Sequence, residues 1–537
     1  MALPAPRKSA TALVCALAVT LGVTVAGMSG VSSAQGSDRA VQQSKAGKSY
    51  VNQALTETVL WSEDFDSVPT PTDFTHTLPK GWSKENSGFT TGEARWAGWA
   101  ITNIRDWTWA VGTDKRHYFT RAHDKLAVVE SQHQRLNDTD RLNTALKSPA
   151  INVKKHDRIV LGFDSHYRQG AAPQHATVSV SFDGGKPVEL RRYDADKLSS
   201  HEALTIDVPK GAREAVFTWS YKDGHNDWFW AIDNARVSLP MGKAEGKPAA
   251  VIDVISDIQG GIANYKSAVK QLNAMPDPAG AMFVNGDFVD LGKQELYDEF
   301  KAAAKEVPHA SGRNYYTIGN HEMLGQEGSE AYINRFLDFT GQDKVWREEI
   351  VDGIPNITVN TEYYSDVDRK GVEPYVKLSD EQLRWLDSRL AHWAKQGKPV
   401  MLYNHQAVPY TVTETHSSWN GNDYFDLEAF TKVVGKYSNI IMFTSHTHQS
   451  LQAEDWWGRL RTEATGNMRG IPVVNTGAIK NATEPYGDHE SRRLEGNHSS
   501  GLRVKVFKDR VRVEAWDFVT GKKIKHVDFP APAKRKG

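Results

Sequence analysis

The texture of this chain changes once, and that change limits what it can fold into. Between Val59 and Leu239 short alternating runs follow one another, among them RIVLGFDSHY, ATVSVSFDGG, EAVFTWSYKDG and WAIDNARVSL, with no sustained helical period. Short strands broken by Gly, Asp, Asn and Pro predict an all-β sandwich. After MGKAEGKPAA, strands alternate with helix-like segments, ELYDEFKAAAKEV and LSDEQLRWLDSRLAHWAKQG. The second opens on Ser379 with Gln382 three residues on, which is a capping-box signal. Strand-helix alternation predicts an α/β domain with its sites at the carboxyl ends of strands. The expected organisation is a sandwich over 58–240, a connection over 241–248 and an α/β domain over 249–530.

The chain of 537 residues is too long for one ordinary core, in keeping with two domains. Arg7 and Lys8 precede an apolar stretch from Ala10 to Met28, and small residues follow to Ser32, Ser33 and Ala34. This three-part layout predicts a secretory signal over 1–34, and hence bacterial export to the extracellular side. A membrane anchor is the weaker reading, since the segment is short, alanine-rich and lacks a basic stop-transfer flank. No later run reaches the roughly 20 apolar residues of a membrane span. Residues 35–57 read as a polar linker and 531–537 as a tail.

The single cysteine, Cys15, falls inside the signal, so the mature chain has neither disulfides nor thiolate ligands. Loss of Arg7 and Lys8 leaves 63 basic against 66 acidic side chains, with no basic stripe suited to nucleic acid.

The chemistry sits where the apolar runs stop. VIDVIS ends at Asp257 and Gln259; AMFVNG ends at Asp287; YYTIG ends at Asn320, His321 and Glu322. PVMLYN then ends at His405, and NIIMFTS at His446 and His448. Any one of these is an ordinary turn residue, but five strand ends in one register are not coincidence. Carboxylate, amide and imidazole donors suit divalent ions, with no thiolate competing. Two ions roughly 3.5–4 Å apart need an anionic bridge, and Asp287, on the central run, is the natural one. Such a pair polarises a phosphoryl group and activates water for an in-line displacement.

With Asp257-Ile-Gln259, Gly286-Asp287, Gly319-Asn320-His321-Glu322, His405 and Ser445-His446-Thr447-His448 in that order, residues 249–530 resemble the calcineurin-like metallophosphoesterase superfamily. The resemblance implies a two-sheet α/β sandwich flanked by helices, and a phosphomonoesterase or phosphodiesterase acting through a metal-bound hydroxide without a covalent intermediate. It implies Asp257 and His448 on one metal, Asn320, His405 and His446 on the other, and Asp287 between them. His321 would stand near the scissile phosphate, and Glu322 would orient His321 or a ligand. Two positions depart from the pattern: Ser445 stands for Gly, and Gln259 for His. A neutral amide is a poorer donor to zinc or iron, which shifts the first site toward manganese, magnesium or calcium.

The front domain, with nine of the sixteen tryptophans, resembles jelly-roll modules of the cleaved-adhesin type. That resemblance implies a structural calcium for which Asp64, Asp66 and Asp233 are candidates. The alternation of Trp228 and Trp230 predicts that both bury on one strand face. A glycan contact through other tryptophans stays open. The expected substrate is a small-molecule or cell-envelope phosphate ester. The competing reading is an adhesin or glycan-binding protein carrying a degenerate phosphoesterase domain.

Overall fold

The computed structural model describes residues 58–531 except 71–73, 245, 364, 370–375, 418–422, 463–469 and 488–489. The expected signal segment, the polar linker and residues 532–537 lie outside the described residues. Among the described residues no helix is long and apolar enough to cross a membrane.

The front domain is two antiparallel sheets face to face. One runs, in spatial order, Lys197–Asp207, Arg158–Tyr167, Phe229–Ser238, Lys125–Glu130, Ala100–Asn103 and Phe74–Thr75, with Val59–Glu63 paired to Phe229–Ser238. The other runs Val188–Tyr193, His175–Phe182, Glu214–Gly224, Leu142–Lys147 and Ser83–Ser87. Alternation puts Ala215, Phe217, Trp219 and Tyr221 inward, as the pleat requires. Within the core Trp82 stacks on Trp219 at 5.6 Å, and Trp99 meets Trp230 at 5.3 Å. These tryptophans are packing residues rather than surface platforms.

Two expectations for this domain are corrected. A helix, Ile104–Val111, interrupts the strands; Asn103 caps it by accepting from the Asp106 backbone N–H. Eight residues are too few for a helical period to stand out among strands. Trp228 also does not share the face of Trp230. Its φ of 40° breaks the alternation, and its ring lies outside the sandwich core under the Arg168 guanidinium at 3.1 Å.

The rear domain holds two six-stranded mixed sheets. Asn314–Thr317, Ala281–Asn285 and Ala250–Ile255 are parallel neighbours, continued by the antiparallel Ser500–Val506, Arg510–Asp517 and Lys522–Pro530. In the second sheet Ile354–Thr358, Val400–Tyr403, Ile440–Thr444 and Ile471–Asn475 are parallel, with antiparallel edges at Arg347–Val351 and Trp457–Leu460. The sheets meet through an apolar layer in which Phe283 lies flat on Tyr403 at 4.3 Å. Helices Ile262–Ala274, Gln294–Glu306 and Ser329–Thr340 cover the first sheet, and Asp380–Gln396 and Leu427–Val434 the second. Buried on both faces, the parallel strands read as continuous apolar runs.

Ser379 caps its helix as expected, accepting from the Gln382 backbone N–H at 3.1 Å. The reciprocal half of the capping box is absent. Gln382 instead exchanges two hydrogen bonds with the Asn360 backbone, and Glu362 takes the Ser379 N–H. Tertiary partners outcompeted the local one.

Candidate metal centre

Each strand end expected to carry chemistry does converge. Asp257, Asp287, Asn320, His405, His446 and His448 all follow parallel strands of the two sheets, so their side chains meet across the seam. His405 Nε2 lies 3.2 Å from Asp287 Oδ2 and 3.2 Å from Asn320 Oδ1. His446 Nδ1 is 2.8 Å from the same Asn320 oxygen. On the other side His448 Nε2 stands 3.2 Å from Asp257 Oδ1. Two ligand groups result, Asp287 with His405 and His446, and Asp257 with Asp287 and His448; within each, the donor atoms lie within 4.8 Å of one another. Asp287 belongs to both.

The donor set fits cations on its own chemistry. Asp257 is buried, and its Oδ2 receives no hydrogen bond. A buried carboxylate oxygen left bare is costly unless a cation faces it. Burial, the largest single influence, lowers the His405 pKa, yet the Asp287 charge and hydrogen bond, the Asp257 charge and the Asn285 carbonyl together outweigh it and lift the value to about 10. The centre therefore draws positive charge wherever it is available.

Its backbone is strained. Asp257, Gln259, Asp287, His446 and His448 all hold φ between 42° and 69°, the left-handed region that non-glycine residues rarely occupy. Each such residue costs about 1–3 kcal/mol, and their clustering at one point is the mark of a functional site. Gly286 and Gly319 are required for another reason. A Cβ on Gly286, at φ 82°, would overlap the His405 ring, and one on Gly319 would overlap the Asp287 carboxylate.

Neighbouring groups orient the ligands. His405 Nδ1 donates to the Asn285 carbonyl at 2.8 Å, which turns the Nε2 lone pair to the centre. Ser445 is more than a tolerated substitute: its Oγ donates to that carbonyl at 2.5 Å and accepts from Asn285 Nδ2 at 3.1 Å. His321 donates its backbone N–H to Asp287 Oδ1 at 2.8 Å and its Nδ1 to the Asp290 carbonyl at 2.8 Å, leaving Nε2 4.0 Å from Asp287 Oδ2. Glu322 does not touch His321, contrary to one of its two expected roles. It accepts the backbone N–H groups of Asp287, Val289 and Gly319 at 2.8, 3.1 and 2.6 Å, tying two strand-end loops together.

Gln259 reaches the centre with its amide nitrogen inward. Nε2 donates to Asp287 Oδ2 at 2.9 Å and lies 3.2 Å from His448 Nε2. An amide nitrogen has no lone pair to offer a metal, so only the rotated amide, with Oε1 inward, would ligate.

Two neighbours were missed from sequence. Asn481 Oδ1 accepts from His448 Nδ1 at 2.8 Å, fixing its tautomer. Its signal was available: IPVVN is a sixth apolar run, ending at Asn475, Thr476 and Gly477 like the others. Asp423 Oδ2 stands 3.7 Å from His446 Nε2, and no sequence pattern marks it.

In the front domain, Asp66 and Asp233 meet at His123. Asp233 Oδ2 accepts its backbone N–H at 2.9 Å, and Asp66 Oδ2 is 3.3 Å from its Nδ1. Asp64 instead accepts the Asp66 backbone N–H at 3.3 Å. Among the described residues these three form no ligand group.

Residues 250–450 match the family model Calcineurin-like phosphoesterase. They are a calcineurin-like phosphoesterase domain. The chain is 25% identical over 152 residues to a "Probable cyclic nucleotide phosphodiesterase" of Rhodococcus erythropolis, a match covering 27% of this chain and 43% of that relative, under half its length. Among solved structures, a dimetal phosphatase from Danio rerio aligns with 53% of this chain and 100% of its own, at 13% identity and a TM-score of 0.38. The K1 cleaved adhesin domain of Lys-gingipain from Porphyromonas gingivalis aligns with 34% of this chain and 98% of its own, at 15% identity and a TM-score of 0.23. The matched segment, 250–450, contains every residue expected at the metal centre.

Proposed function

We propose that this protein is an exported, metal-dependent phosphoesterase that hydrolyses a phosphomonoester or phosphodiester. The observation that carries the reading is Asp287, shared by two groups of ligand atoms at converging strand ends. Asn320, His405 and His446 would hold one divalent ion, Asp257 and His448 the other, with Asp287 common to both. Bound there, the ions would supply Lewis acidity and an activated water.

The chain's own residues do the rest. His405 and His448, each with Nδ1 engaged, keep Nε2 facing inward. His321 directs Nε2 to the same space, where it can place a proton on the departing oxygen. Glu322 keeps the Asp287 and Gly319 loops in register. The name of the Rhodococcus relative makes a phosphodiester the first class to assay, with manganese as the first ion because Gln259 is a weak donor to softer metals. The orientation of Gln259 is the one feature favouring the degenerate, glycan-binding alternative.

The test is elemental analysis of the purified protein together with hydrolysis of chromogenic mono- and diesters under manganese, magnesium, calcium or zinc. Two metals per chain are expected, with activity that Asn320→Ala lowers by about 100-fold or more. Metal-free protein with no turnover under any ion would overturn the reading in favour of a binding protein.

A further inference from the structure

Resting on the phosphoesterase reading, we infer that Lys480 is a positioning residue for His321 and thereby sets how well the enzyme handles poor leaving groups. Lys480 lies on the loop that follows the Ile471–Asn475 strand. Its backbone N–H donates to the Asp257 carbonyl at 2.9 Å, and the preceding Ile479 N–H to the Ser256 carbonyl at 3.0 Å. The main chain of this loop is therefore bonded to the strand end that carries Asp257. From there the side chain reaches another strand-end loop, where Nζ donates to Asp290 Oδ1 at 2.8 Å. Asp290 is the residue whose carbonyl holds His321 Nδ1.

The geometry selects Lys480 over a merely decorative surface pair. An isolated exposed pair contributes about 0–1 kcal/mol and would leave chemistry untouched. Here the pair joins two loops at the centre, and the same Asp290 fixes one end of the imidazole. The Asp290 carboxylate, 3.9 Å from His321 Nδ1, is turned to Lys480, so the carbonyl and not the carboxylate takes the ring proton. Without the ammonium, the carboxylate is free to compete for Nδ1, and the ring loses its single orientation. In the reaction, water oxygen bonds to phosphorus, the ester P–O bond breaks, and the departing oxygen takes a proton from His321 Nε2. The proton released by water passes to solvent, and solvent returns one to His321 Nε2, which restores the ring. A misaimed His321 harms the step in proportion to how badly the leaving oxygen needs that proton, since aryl oxides such as 4-nitrophenolate depart unaided and alkoxides do not.

The experiment uses the full-length, metal-loaded protein with matched 4-nitrophenyl and alkyl esters of whichever class it hydrolyses. Lys480→Met is expected to lower kcat on the alkyl ester by at least about tenfold more than on the nitrophenyl ester, with KM held within about twofold. Lys480→Arg should restore the ratio. Lys480→Met should add nothing in a His321→Ala background, because both changes act through one imidazole. As a readout independent of turnover, the hydrogen-bonded Nδ1 proton of His321, assigned by its loss in His321→Ala, should exchange faster with solvent in Lys480→Met. Equal losses on both esters, additivity with His321→Ala, or an unchanged proton signal would overturn the inference while leaving the phosphoesterase reading intact. No hydrolysis by the unaltered protein would overturn the reading and the inference together.

Discussion

Gln259 is the residue on which the centre's character turns. It takes the place of a histidine in the pattern this domain follows, and donates its amide to Asp287 at 2.9 Å. Imidazole at that position would give the Asp257 and His448 group a neutral nitrogen donor suited to zinc. Gln259→His is therefore expected to tighten zinc at this group by about tenfold or more, measured by calorimetry on stripped protein. An unchanged binding profile would mean that position 259 takes no part in ligation. The wild-type amide instead spans Asp287 and His448.

At the scale of elements, function depends on how strands end. The parallel strands of two sheets deliver their terminal residues to one seam, and at Asp257, Asp287, His446 and His448 the turn that follows holds left-handed backbone. Gly286 shows how little room remains: at φ 82° it passes directly under the His405 ring. Gly286→Ala is expected to cost about 2–4 kcal/mol, combining left-handed strain with displacement of His405. Thermal unfolding should register that loss, and metal content should fall toward one ion per chain. The strand-end residues were legible in sequence because fully buried parallel strands leave unbroken apolar runs whose ends are sharp. The short helix Ile104–Val111 was not, since its eight residues carry too few turns to show a period among strands.

At the scale of the molecule, the front sandwich is joined to the loops of the centre. One of its segments, Arg116–Arg121, reaches three of them. Tyr118 donates to the Gly487 carbonyl beyond Asn481, and the His117 and Tyr118 rings each pack 4.7 Å from His416, beyond His405. Thr120 donates to Asp455 Oδ2 at 2.6 Å, and Arg121 to the Glu454 carbonyl at 3.0 Å, beyond His448. Asp455 is buried and also accepts from Thr413 Oγ1 at 2.7 Å. Thr120→Val is expected to cost about 1–3 kcal/mol by leaving that carboxylate short of a donor, read from denaturant unfolding.

Burial raises the Asp455 pKa above 3.8, offset in part by the Thr120 and Thr413 hydroxyls. The folded state thus binds this proton more tightly than the unfolded chain. Its contribution is fully present below pH 3.8 and is lost as pH rises through the folded pKa. Asp455→Asn should remove that component of the pH dependence. A matching slope in both proteins would count against it.

The sequence by itself determined the two kinds of domain, the order of strand ends and the donor types at each, because periodicity and donor chemistry are local properties. Only the tertiary structure decided which groups face one another. Glu322 turned to three backbone N–H groups rather than to His321, Gln259 presented nitrogen rather than oxygen, and Gln382 left its cap for Asn360. In each case a side chain with several available partners was settled by what folding brought within 3.1 Å of it, from residues distant in the chain or from its own turn. Spacing alone does not carry that information.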